Sequence, residues 1–289
     1  MTDVFGLGQC VVDRLGFVDT YPQPDEKREF ADMRIECGGP VATALVALAR
    51  WGRRCSFAGV VGDDDEGRRI TADLDREGVE RSQVLVRDGS QTQYAFVAVE
   101  RGSGRRMIFW QRPTGAPPGP EEVDGSGARV FLTDGLFPEA SVALAERAEC
   151  VVVDAGALRD GTRALLPLAD VFVASESFAR AYVGADDPKG ACRRMREDGV
   201  KVAGVTLGGR GYVASFQDTL IERPAHPVDA VDTTGCGDLF HAGVVEGVLE
   251  GWTWERTFEF AAWAAAQAAT RLGGRAGIPA RSDAPRDVS

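Results

Sequence analysis

Histidine is almost missing from this chain. His226 and His241 are the two imidazoles in 289 residues, and there is no His-x-x-x-His pair and no Gly-x-Ser-x-Gly elbow. Metallohydrolase and serine-hydrolase chemistry therefore lack their parts. Positive charge is also in deficit. The 33 Lys and Arg face 44 Asp and Glu, a net charge of −11 with no compensating basic block, which argues against a nucleic-acid partner. A nucleotide ligand is not excluded, because backbone dipoles, a metal ion and a few arginines can hold its phosphates. Cys10, Cys37, Cys55, Cys150, Cys192 and Cys236 are scattered, without a Cys-x-x-Cys or any metal-ligand spacing. No long apolar run spans a membrane, and Met1-Thr2-Asp3 does not open a secretory signal, so the expectation is a cytoplasmic protein with reduced thiols.

The most informative stretch runs from Val228 to Gly243. An extended segment breaks at Asp232 into Thr233-Thr234-Gly235-Cys236-Gly237-Asp238, then re-emerges at Leu239 with helical spacing that ends at Gly251. That pattern delivers a loop onto a helix N-terminus, whose free N–H groups and positive dipole end stabilise developing negative charge. Gly235 and Gly237 let the backbone approach an anion closely. Asp238 would repel a bound phosphate unless it has a task such as accepting a proton from an attacking hydroxyl. A Gly-x-Gly-Asp alone is more often an ordinary acidic first turn. His241, three residues further on, reads as a helix-surface residue.

Along the chain, Val4 to Val12 reads as one buried strand ending at Asp13. Its Gly6-Leu7-Gly8 lacks the third glycine and the following helix of a dinucleotide fingerprint. Residues 14–37 are polar and proline-broken. Gly38-Gly39-Pro40 opens a helix with an apolar stripe of Val41, Ala44, Leu45, Leu48 and Ala49, closed by Gly52. A strand at 55–61 leads through Asp63-Asp64-Asp65, read as a solvated helix start over a metal cluster, to a helix at 66–77. Residues 91–111 form a hairpin around Arg101-Gly102-Ser103-Gly104. With the 14–37 segment it makes a small β layer whose apolar residues need a cover, read as a lid or dimer clasp. From Arg129 onward, short apolar strands (130–132, 150–153, 171–173, 202–206, 212–216) alternate with helical stretches, the mark of a parallel sheet covered on both faces. A last helix spans 255–272, and 279–289 is expected to be a frayed tail. The whole chain, 1–289, is read as one domain with 14–37 and 91–112 inserted as the lid.

The string Asp-Thr-Thr-Gly-Cys-Gly-Asp closely resembles the signature of the ribokinase-like (PfkB) carbohydrate kinases, usually Asp-Thr-x-Gly-Ala-Gly-Asp. Thr206-Leu207-Gly208-Gly209-Arg210-Gly211, about 20 residues earlier, resembles that family's ATP loop. Gly38-Gly39 resembles its N-terminal Gly-Gly motif. The layout of Asp13, Tyr21-Pro22 with Asp25, and Met107 to Arg112 is most similar to the ketohexokinase-like branch.

The resemblance implies an α/β, three-layer sandwich with a mainly parallel central sheet covered by helices, plus a small β-sheet lid. It implies ATP-dependent phosphorylation of a sugar hydroxyl with Mg2+. In that reading Asp238 is the catalytic base, and Gly235, Cys236 and Gly237 form the anion hole. Asp13, Asp25, Gly38, Gly39, Thr43 and Arg112 face the sugar. Thr206, Gly208, Gly209, Gly211 and Thr233 hold the nucleotide, and Asp232 and Thr234 hold a monovalent cation such as K+. A homodimer through the clasp is implied as well, without nucleic-acid or membrane partners.

There are departures. Pro40 and Thr43 replace two asparagines of the Gly-Gly-Asn-x-x-Asn pattern, which points to a variant ketose or to an anionic group read by Arg112, Arg105, Arg106 or Arg28. Ser175 and Phe178 replace the Asn and Glu of the metal-water element, leaving Glu176 as the nearby carboxylate. A nucleoside or phosphosugar kinase, or a non-catalytic sugar- or nucleotide-sensing homologue, is the alternative.

Overall fold

The computed structural model describes residues 2–285. The chain runs β1 (Thr2–Leu7), β2 (Val11–Val18), β3 (Ala31–Gly38), α1 (Pro40–Arg50), β4 (Cys55–Gly62), α2 (Asp65–Arg76), β5 (Glu80–Arg87), β6 (Tyr94–Glu100) and β7 (Arg106–Gln111). There follow β8 (Ala128–Thr133), α3 (Pro138–Ala145), β9 (Val151–Ala155), α4 (Asp160–Leu165), β10 (Val171–Ser175), α5 (Glu176–Val183) and α6 (Pro188–Glu197). The last part holds β11 (Val202–Thr206), β12 (Tyr212–Phe216), β13 (Thr219–Arg223), α7 (Cys236–Glu250) and α8 (Trp254–Ala268).

Nine strands form the main sheet in the order β13-β12-β11-β10-β9-β8-β1-β4-β5. Every pairing from β5 across to β11 is parallel, and β12 and β13 close the edge as an antiparallel hairpin. The strands are apolar at consecutive positions because both faces are covered. Val152, Val171 and Val173 enter the core beneath α1, α7 and α8, whereas Val151, Val153 and Phe172 enter the core beneath α3 to α6. α1 is accordingly buried from Val41 to Leu48 without a break, on all sides and not along one stripe. It packs between the sheet and α7.

The second sheet, β3-β2-β6-β7, is the lid. Its inner face buries Val11, Leu15, Ala95, Val97 and Val99 with Leu272. At its edge, β7 leaves Met107, Ile108, Phe109 and Trp110, which alternate between the two faces, between 40% and 63% exposed.

Three expectations are corrected. Val4 to Val12 is not one strand: it breaks at Gly8-Gln9-Cys10, sending β1 into the main sheet and β2 into the lid. The apolar run hides the break because both halves are buried. β5 and β13 had no counterpart in the sequence reading. The C-terminal stretch is packed as far as it is described: Pro279 O accepts from Trp51 Nε1 (2.9 Å), Arg281 pairs with Glu246 (2.6 Å), and Ala284 is buried. Residues 286–289 of the expected tail lie outside the described residues.

Candidate active site

Asp232 builds the loop before α7. It is wholly buried, and its Oδ1 accepts from both Thr234 N (2.9 Å) and Thr234 Oγ1 (2.8 Å) in a local Asx turn. Its Oδ2 accepts from Gly273 N (2.9 Å), tying the loop to the segment after α8. The chain then needs a left-handed residue: Gly235 has φ 79°, and a Cβ there would lie 2.5 Å from Gly274 O. The first α-helical bond of α7 runs from Leu239 N to Gly235 O (2.9 Å), so the earlier amides have no helical partner. A Cβ on Gly237 would meet nothing within 4 Å, so the space over these amides is open. Cys236 fills the position between the glycines, and burial pushes its thiol up to about 12, so it stays neutral. Asp238 rises from this first turn.

Asp238 is pushed up to about 8, first by burial and then by the charge of Asp154. Asp13 adds to the rise, while Arg106 and Arg275 oppose it. These groups come from β9, β2, β7 and the loop after α8, so the carboxyl stands where lid and main sheet converge. That convergence lies at the carboxyl ends of the parallel strands, where open α/β sheets bind ligands.

On the lid side, Asp13 of β2 stands opposite Glu36 of β3 in register. Asp13 is pushed up to about 6, first by burial and then by Glu36. Glu36 is raised too, chiefly by burial, and its Oε2 has no hydrogen-bond partner among the described residues. Two carboxyl groups on one face, one with a spare acceptor, suit hydroxyl donors. A Cβ on Gly38 would sit 2.5 Å from Asp13 Oδ2 and displace that carboxyl, and a Cβ on Gly39 (φ 106°) would collide with the backbone oxygen of Gln9.

The other residues expected on the sugar are placed differently. Thr43 is buried in α1, and its Oγ1 accepts from Arg275 Nε (3.5 Å). Asp25 sits at φ 66° in the exposed loop before β3. Arg112 is exposed and stacks on Trp110, 4.7 Å from its ring centroid. The lid arginine that does reach the loop is Arg106, whose Nη1 donates to Thr233 Oγ1 (2.8 Å).

On the opposite side, Thr206 ends β11 and Gly208–Arg210 form a short 3-10 turn before β12. Gly208 (φ 59°) and Gly209 have open space where a Cβ would be. Gly211 (φ 97°) is needed for the close approach of the Arg223 carbonyl. Glu176, the carboxylate expected near the metal, is ion-paired here. Its Oε1 is engaged by Arg210 (2.6 Å) of this turn and by Arg180 (3.0 Å). Phe178 is core, packed between Phe172 and Tyr182. Asp64 caps α2 by accepting from Gly67 N (2.8 Å), which settles the aspartate triplet as a helix start. No group of three or more His, Cys, Asp or Glu is arranged for a metal among the described residues.

Four groups that the structure brings to this site escaped the sequence reading: Glu36, Asp154, His241 and Arg275. Asp154 had a signal, as a carboxylate at the carboxyl end of the apolar run Val151 to Val153. Arg275, after Gly273-Gly274, is buried and paired with Asp73, a contact across 202 residues that spacing cannot show. His241 is 4% exposed, not on the surface, because α7 is buried from Leu239 to Gly247.

A glycine-lined helix start with a carboxyl over it, beneath a small β-sheet, fits a phosphotransferase of ribokinase-like α/β fold. Residues 1–281 match the pfkB family carbohydrate kinase description. A ribokinase of Haemophilus influenzae is 26% identical over 96% of this chain and 95% of its own length. An ATP-dependent ribose-1-phosphate kinase of Halopiger xanaduensis is 31% identical over 95% and 94%. The solved ribokinase from Thermotoga maritima superposes with a TM-score of 0.84 at 25% identity, covering 98% of this chain and 97% of its own. The chain belongs to the pfkB family of carbohydrate kinases. It is an ATP-dependent sugar kinase.

Proposed function

We propose that this kinase phosphorylates a hydroxyl of a small sugar, a ketose or ketose derivative, with Asp238 as general base. The observation that carries the reading is the open glycine-lined start of α7 with Asp238 above it, faced by Asp13 on the lid. The acceptor lies between Asp13, Glu36 and Asp238, its hydroxyls donating to the two lid carboxyl groups. Asp238 takes the proton from the attacking oxygen as it approaches the γ-phosphorus in line. The Gly235–Gly237 amides hold the charge spread over the equatorial oxygens. ATP lies along Thr206, Gly208, Gly209 and Gly211, with Thr233 at its phosphate end. The whole chain is a single catalytic unit carrying the inserted lid.

Mg2+ would enter with the ATP phosphates and supply charge neutralisation there. Asp232 is buried, accepts three neutral donors and has no ion-pair partner among the described residues. A monovalent cation beside it and Thr234 would balance that charge. The exposed apolar run of β7 is best covered by a second copy of this chain.

A phosphosugar acceptor is the second reading. Arg106 and Arg275 stand beside the acceptor space, and one relative is a ribose-1-phosphate kinase. A screen of ketoses, aldoses, phosphosugars and nucleosides by ADP release separates the two. Preferred turnover of a neutral ketose supports the first, and turnover confined to phosphorylated acceptors replaces it with the second.

A further inference from the structure

His241 stands one helical turn behind Asp238 and touches acceptors on both sides. Its Nδ1 lies 2.7 Å from Gly237 O and 3.2 Å from Asp154 Oδ2, and its Nε2 lies 3.1 Å from Val173 O. A neutral imidazole has one N–H and would turn a lone pair toward one of these oxygens. The doubly protonated ring donates on both sides. The side chain thus joins the anion-hole glycine of α7 to β9 and β10. Asp154 is itself 6% exposed, and its charge faces Asp238.

We propose that the buried His241–Asp154 pair is a positioning device for the phosphoryl-transfer loop: it pins the start of α7 to the sheet and balances one negative charge beneath Asp238. The proposal rests on Asp238 being the base. Neither residue touches the reacting atoms. Burial raises the Asp154 carboxyl and His241 opposes that rise, so the charge that Asp154 turns toward Asp238 is partly compensated from behind. The other charges around Asp238 are Asp13 of β2, Arg106 of β7 and Arg275 after α8; around Asp154 they are Arg159 at the start of α4 and Asp134 after β8. None of these bonds to His241.

The test follows the Asp238 carboxyl directly by NMR of protein labelled with 13C at the aspartate carboxyl, without any acceptor sugar. The resonance that disappears in Asp238→Asn is assigned to it. Asp154→Asn removes a neighbouring charge and is expected to move the titration midpoint of Asp238 down by about one pH unit. His241→Asn leaves Asp154 uncompensated and is expected to move the midpoint up by about as much. The double variant returns it toward wild type. Midpoints that stay put, or that move the same way in both single variants, overturn the proposal. Should His241→Asn fail to fold, the isosteric Asp154→Asn decides alone, and an unmoved midpoint contradicts the pair's role. The base assignment is judged separately, by turnover of Asp238→Asn. If that variant keeps its rate the base reading fails, whereas a dead Asp238→Asn with unmoved midpoints sinks this inference alone.

Discussion

Asp238 is a carboxyl group held in its neutral form well above the usual range. Because a base works only when ionised, kcat/KM is expected to fall as pH drops through about 8 in the free enzyme, with a slope of one. Measuring kcat/KM between pH 5 and 10 checks this, and a rate flat down to pH 5 would contradict it. The same shift has a consequence for stability. The folded state holds the Asp238 proton more tightly than the unfolded chain does, so unfolding free energy falls as pH rises from the ordinary carboxylate range to about 8. Asp238→Asn removes the penalty, and its melting temperature should exceed wild type at pH 8.5 and converge with it near pH 4. At this scale the sequence carried the loop residues, because their chemistry is local. It did not carry Glu36, Asp154 or Arg275, whose meaning comes from strands and loops far away in the chain. Nor did it distinguish Arg106, which reaches Thr233, from Arg112, which stacks on Trp110.

At the scale of one element, the start of α7 separates two roles of glycine. Gly235 is conformational: an alanine there must adopt φ 79° against the Gly274 backbone, and the cost should exceed about 1 kcal/mol. Gly237 has open space, and alanine is the better helix former by roughly 0.8–1.0 kcal/mol. Gly237→Ala should therefore keep or raise the melting temperature while its methyl group intrudes where the phosphoryl oxygens approach, lowering kcat. Thermal melts and ADP release on the two variants together check this, and equal destabilisation of both would contradict it. Helix starts of this kind were legible because capping and glycine chemistry are encoded within a few residues: α1 opens at Pro40, and the lid hairpin pairs Val99 with Arg106. The division of Val4 to Val12 was not, since burial in two different sheets leaves the same apolar pattern. β13 was missed because its five residues show neither a clean alternation nor an apolar run.

For the molecule as a whole, two features tie distant parts together. Glu246 in α7 is completely buried between Arg53 and Arg281, so it holds the segment after α8 against the body of the protein. Glu246→Ala leaves Arg53 and Arg281 with Glu250 as their remaining carboxylate partner and should cost about 2 kcal/mol in urea unfolding. A loss below about 0.5 kcal/mol would place that contact among ordinary surface pairs. The lid exposes Met107, Ile108, Phe109 and Trp110 in succession on an edge strand, an arrangement that invites pairing. Sedimentation should find a dimer, and Phe109→Glu should shift it to monomer. A wild-type monomer at high concentration would contradict the clasp. The layered sheet was legible from strand–helix alternation, while the closeness of lid, loop and helix over Asp238 had to be seen in three dimensions.

All of this turns on whether the carboxyl of Asp238 takes the acceptor's proton. The direct measurement is kcat for Asp238→Asn with the best acceptor from the screen, after circular dichroism shows the fold intact. A fall on the order of 10²–10⁴-fold with KM for ATP little changed is the expected result. A folded Asp238→Asn enzyme turning over within about threefold of wild type, against that expectation, would remove the base from this site.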